Sequence, residues 1–162
     1  MIEEITITED EERRYTELQL RALDCARSGD HDALELMLNA GMPANLQDAK
    51  GNTLVMLASY HGNSKVVELL VAHGAEVDRR NLRGQTPLAG VCFKGYEEVV
   101  DVLLENGADP NADQGAGQTP LSFAALFGHK DIVERLKEAG GSVRLRDRGM
   151  MAVGSIVNRM RN

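Results

Sequence analysis

The chain has 162 residues, 43% of them hydrophobic and 27% charged, with a formal net charge of -7. That length suits one domain with a substantial core. The acidic balance argues against general nucleic-acid binding, which needs cations to displace counterions, and no apolar run of about 18 residues offers a membrane-spanning helix.

Residues 1–17 carry seven acids and two bases. Met1-Ile2-Glu3-Glu4 lacks a basic-then-apolar leader pattern, so the expectation is a cytoplasmic protein. Ile5-Thr6-Ile7-Thr8 suits a short extended lead-in. Thr8 with Glu11 forms a capping box and predicts a helix from about Glu9 to Ala26, with Leu20, Leu23 and Arg27 on one side and Leu18 and Ala22 nearby. Ser28-Gly29-Asp30 breaks that helix, and Asp32 to Ala40 reads as the next. The acidic run is either a solvated polar cap or a docking tail.

From Asp48 onward the chain repeats itself. Gly51-Asn52-Thr53-Leu54-Val55 is answered by Gly84-Gln85-Thr86-Pro87-Leu88 and by Gly117-Gln118-Thr119-Pro120-Leu121, at an offset of 33 residues. The series Gly62, Gly95, Gly128, the series Val67, Val100, Val133 and the series Gly74, Gly107, Gly140 keep the same step. A fixed period of this length signals a stacked array of supersecondary units. The expected units are 48–80, 81–113 and 114–146. Residues 1–47 form an acidic lead-in and a degenerate capping unit, and 147–162 form a C-terminal capping helix or, alternatively, a Met- and Arg-rich tail that touches a membrane or partner. Within each unit Thr53, Thr86 and Thr119 are placed to cap an inner helix, near 53–61, 86–94 and 119–127, with Pro87 and Pro120 in its first turn. Outer helices near 64–72, 97–105 and 130–138 turn apolar faces inward, and extended fingers join the units.

These residues carry a resemblance. Gly117-Gln118-Thr119-Pro120-Leu121-Ser122-Phe123-Ala124 and Val99-Val100-Asp101-Val102-Leu103-Leu104-Glu105-Asn106-Gly107-Ala108-Asp109-Pro110-Asn111 resemble the ankyrin-repeat superfamily, directly over about 99 residues. The resemblance implies an all-α solenoid of helix-turn-helix units with finger loops, as in small bacterial members, and a binding scaffold rather than an enzyme. The chain departs from the family pattern where Met56, Ala89 and Ser122 replace the motif histidine, where Leu54 replaces the proline, and where Gly90 sits inside a helix at the place of Leu57 and Phe123. Phe123 is expected to fill the space left by Gly90, with a hinge as the alternative.

Chemistry-bearing sets are not evident. His31, His61, His73 and His129 pair with no cysteine or carboxylate at ligand spacing, no Walker loop appears among the glycines, and no catalytic triad can be nominated. The expectation is therefore no catalytic residue, no metal and no cofactor. Cys25 and Cys92 fall two units apart, too far for a disulfide, and read as small buried thiols, with a redox or metal role as the alternative.

A partner should meet positions that the stack leaves free. The resemblance places these at the finger tips and the exposed ends of the inner helices, on one concave face. The expected contact residues are Lys50, Asn52, Tyr60, His61, Arg80, Leu82, Arg83, Gln85, Phe93, Lys94, Gln118, Leu126 and Phe127. Tyr60, Phe93 and Leu126 would form one stripe and His61, Lys94 and Phe127 a parallel one; aromatics and arginine often dominate interface energy. The alternative is that these side chains only pack under the fingers. The leading expectation is a non-catalytic protein–protein interaction module, a cytoplasmic adaptor or regulator that is monomeric alone and touches neither membrane nor nucleic acid. An acidic partner surface would suit its arginine tips. An enzyme with an atypical site, or nucleic-acid binding through those arginines, are the competing readings.

Overall fold

The structure is a computed structural model that describes residues 7–142. Among these residues the chain is all α-helix and connecting loops: α1 (Glu9–Ser28), α2 (His31–Asn39), α3 (Leu54–Tyr60), α4 (Ser64–Ala72), α5 (Pro87–Lys94), α6 (Glu97–Glu105), α7 (Pro120–Leu126) and α8 (Lys130–Glu138). An isolated bridge pairs Gln47 with Thr53. The inner helices α1, α3, α5 and α7 pack in series, the outer helices α2, α4, α6 and α8 pack in a second series, and each inner helix packs on its outer partner. This is the expected all-α repeat solenoid.

Local chemistry explains how the inner helices begin. Thr53, Thr86 and Thr119 are extended N-caps whose hydroxyls accept from the backbone N–H of Met56, Ala89 and Ser122, satisfying donors a helix start leaves free. Pro87 and Pro120 occupy first-turn positions that need no N–H donor. Thr8 and Glu11 form the reciprocal capping box of α1. Leu54, Leu70, Leu88, Leu103, Leu121, Ile132 and Leu136 are fully buried, so the core runs between the two helix layers along the stack.

Side chains one period apart also tie the units together. Asn45 Oδ1 accepts from Glu76 N–H at 2.8 Å, Asp78 Oδ2 from Asp109 N–H at 2.9 Å, and Asn111 Oδ1 from Ser142 N–H at 2.8 Å. Asp78 is the one carboxylate in this ladder, and its Oδ1 is buried without a hydrogen-bond partner among the described residues. Burial is the main cause that raises its pKa, and the nearby Asp109 charge adds to it.

Several expectations need correction. α1 extends to Ser28 rather than Ala26, and its buried face is Ala22, Leu23, Cys25 and Ala26. Leu20 and Leu18 are 57% and 46% exposed, because helical spacing turns them off that face. The first helix pair is not wholly polar outside: a groove between α1 and α2 is lined by Tyr15, Leu18, Leu36, Met37 and Met42. The third finger is also built differently. Asp48 Oδ1 accepts from the N–H groups of Lys50 and Asn52, and Asn81 Oδ1 from those of Arg83 and Gln85. In the third finger that role falls one residue early, to Asp113, which accepts from Gly115 and Gly117. The irregular turn leaves Ala116 at φ 55. Cys25 and Cys92 are free and buried on α1 and α5, with α3 packed against both helices. The expected capping helix 147–162, with Arg146 and Arg148, and the lead-in residues Ile5 and Thr6 lie outside the described residues.

Candidate functional site

Hydrogen bonds hold the finger tips, within each finger and between neighbours. Each finger closes on itself through a backbone bond, Asp48 N–H to Asn52 O, Asn81 N–H to Gln85 O and Gln114 N–H to Gln118 O. Adjacent fingers are then joined. Leu82 N–H donates to Lys50 O at 3.1 Å, and the Asn81 amide donates to Asn52 Oδ1 at 2.9 Å. Asp48 sits where this scaffold meets α1. Burial opposes its charge, but the bonds from Asn52 and Lys50, with Arg27 at 3.6 Å, hold its carboxyl below the usual value.

Six of the thirteen expected contact residues line one hollow of about 450 Å³ on this face: Lys50, Asn52, Tyr60, Arg83, Gln85 and Phe93. The hollow lies between the first two fingers and the inner helices α3 and α5, and is floored by Met56, Leu57, Ala89, Gly90 and Phe123. Gly90 creates it. A Cβ built there would meet only the Tyr60 ring, at 3.6 Å. Phe123 therefore borders the space rather than filling it, and the expected size compensation is incomplete. Sequence reasoning set Gly90 aside as core repair. The available signal was a glycine where the other units place leucine and phenylalanine.

The remaining expected residues are distributed around this hollow. Arg80 is committed to the scaffold: its guanidinium donates to Gly84 O and Asp113 O, both at 2.6 Å, and so bolts the second finger to the third. Leu82 is a bare tip, 80% exposed. His61 is exposed and turns its Nδ1 to Leu57 O. Gln118 and Leu126 are half-buried and do not border the hollow.

Contacts also link the two expected stripes. Phe93 meets Phe127 edge to face with ring centroids 4.6 Å apart, and the Lys94 ammonium lies 4.8 Å from the centroid of the Tyr60 ring. Each pairing is diagonal, from one expected stripe to the other. Tyr60, Phe93 and Phe127 remain 41%, 40% and 42% exposed. They are half-sunk side chains with a free face, the geometry of an interface anchor.

Among the described residues no cluster of three His, Cys, Asp or Glu could hold a metal ion, and no helix is long and apolar enough to cross a membrane. His129 precedes α8, without a side-chain cap bond to it, and points Nε2 at Phe93 O, 3.2 Å away, a contact between units.

Comparison with known proteins agrees with this architecture. A family model described as ankyrin repeats, in three copies, matches residues 23–114 and 91–153, most of the chain. An ankyrin repeat protein of Pseudomonas aeruginosa is 51% identical over 41 residues, which is 25% of this chain and 24% of that relative. Repeats of this kind generally serve as protein-interaction modules. With the 33-residue period, the threonine caps and the two-layer stack all in register, the chain belongs to the ankyrin-repeat family.

Proposed function

We propose that this chain is a non-catalytic protein–protein interaction module, a cytoplasmic adaptor or regulator, that binds a protein partner through its concave finger and inner-helix face. The observation that carries this reading is the convergence of Lys50, Asn52, Tyr60, Arg83, Gln85 and Phe93 on one hollow, beside the exposed Phe127 and Leu82. Half-exposed aromatics and uncommitted cations on a hydrogen-bonded scaffold combine contact area with little ordering cost on binding. The nucleic-acid reading gains less support: Arg80 is held by two carbonyls, which takes one arginine tip away from nucleic acid.

The test is affinity purification from the native cell with the wild-type chain and with Phe93→Ala and Phe127→Ala. Truncating an interface anchor costs about 2 kcal/mol or more of binding, roughly 30-fold in affinity. Both rings are partly exposed, so the unfolding midpoint should fall far less than the 3–5 kcal/mol typical of a core aromatic. Variants that unfold early, and that lose partner only in proportion to the unfolded fraction, would show that the rings are core and would refute the assignment.

A further inference from the structure

Granted a protein partner on the concave face, we infer that the hollow at Gly90 is a socket for one large apolar side chain, carried next to a carboxylate on an acidic segment of that partner. Its floor is apolar, built from Met56, Leu57, Gly90 and Phe123, with the rings of Tyr60 and Phe93 beside it. Carbon atoms facing an open space forfeit the dispersion contacts that a filled core gives them, and an inserted apolar group restores these while leaving water. A volume of about 450 Å³ sits in the lower part of the range for ligand sites, about 300–1,000 Å³, which leaves room for the apolar side chain together with the residues that flank it on an extended segment.

The rim selects the charge. Lys50 and Arg83 border the hollow, and neither forms an ion pair among the described residues. No aspartate or glutamate lines it, although the chain as a whole has a formal charge of -7. The third nearby cation, Lys94, is already placed over the Tyr60 ring. Two unpaired cations above an apolar floor, on an otherwise acidic molecule, complement a carboxylate adjacent to the anchor. Complementary charge of this kind steers encounter and fixes register.

The experiment pans a display library of random 12-residue peptides on the full chain. The enriched peptides are then titrated by fluorescence anisotropy against the wild type and four variants. Peptides carrying a leucine-sized or aromatic residue beside Asp or Glu should be enriched. Gly90→Leu places at this position the residue found at Leu57; it should weaken binding at least ten-fold with the helical spectrum retained. Gly90→Ala should weaken it less and guards against misfolding of the larger variant. The double variant Lys50→Gln, Arg83→Gln should weaken binding several-fold and flatten its salt dependence.

Peptides that bind Gly90→Leu as well as the wild type, but lose affinity in the double variant Leu82→Ala, Phe127→Ala, would overturn the socket while leaving the concave face as the binding surface. Peptides indifferent to every one of these variants would overturn both. Absence of any enriched sequence, or enrichment without an apolar–acidic pair, overturns the inference. So does concentration-dependent self-association that Gly90→Leu abolishes, which would make the occupant a second copy of this chain.

Discussion

Replacing Gly90 by alanine should stabilise this protein, although the residue lies in the middle of a helix between packed layers. Gly90 occupies the interior of α5 and has no positive φ. An alanine Cβ would stand 3.6 Å from Tyr60 Cδ2, an ordinary van der Waals contact, with no other heavy atom within 4 Å. The gain is the helix-propensity difference between the two residues, about 1 kcal/mol, which arises from the backbone freedom glycine loses on folding. For a domain of this size that is an increase of about 2–4 °C in Tm. Gly51→Ala is the matched control. Gly51 has φ +74, and its Cβ would approach the Leu82 backbone nitrogen to 2.9 Å. The left-handed conformation alone costs a residue with a side chain about 1–2 kcal/mol, so Gly51→Ala should melt earlier. Thermal unfolding followed by circular dichroism, with urea midpoints to confirm an unchanged slope, measures both. If Gly90→Ala lowered the midpoint, the hollow would not be open in the folded protein, and the socket argument would fall with it. If both substitutions moved stability in the same direction, the distinction between an open helical glycine and a crowded turn glycine would be wrong.

Other consequences follow from individual contacts. Arg80→Ala should cost about 1 kcal/mol, since it unties Gly84 O and Asp113 O, whereas Arg83→Ala should change stability by less than about 0.5 kcal/mol; equal melting curves would refute the structural role of Arg80. Asp78→Asn should raise the midpoint at pH 7, because it keeps the acceptor for Asp109 N–H and removes a half-buried charge. The folded protein holds the Asp78 proton more tightly than the unfolded chain does, so wild-type stability falls as pH rises from the usual carboxylate value, 3.8, through the raised folded pKa. The advantage of Asp78→Asn should therefore shrink as pH falls through that window, and a pH-independent difference would contradict this origin. Thr53→Ala should cost about 1–2 kcal/mol, because it removes a fully buried cap and leaves Met56 N–H without its 3.1 Å acceptor; an unchanged urea midpoint would refute that. Burial pushes both the Cys92 and the Cys25 thiol up, which lowers the reactive thiolate fraction, so native protein should react with a maleimide slowly and urea-unfolded protein within seconds.

Much of this molecule is written locally. The threonine caps, the first-turn prolines and the buried faces of the outer helices were all readable, because each depends on contacts within one or two helical turns and recurs along the chain. The expected outer helices coincide with α4, α6 and α8. What the tertiary structure decided depends on pairs about one unit apart, whose geometry is set by how neighbouring units are rotated and displaced. Packing between units linked the two expected stripes through the diagonal pairs Phe93–Phe127 and Lys94–Tyr60. It brought the Arg80 guanidinium to a carbonyl 33 residues away rather than to solvent. It half-buried Asp78 at a ladder position where Asn45 and Asn111 carry no charge. It also left the space over Gly90 open, since Tyr60 one unit earlier and Phe123 one unit later border that space without closing it. A missing side chain is visible in a sequence; whether its neighbours collapse into the gap is settled only by packing in three dimensions.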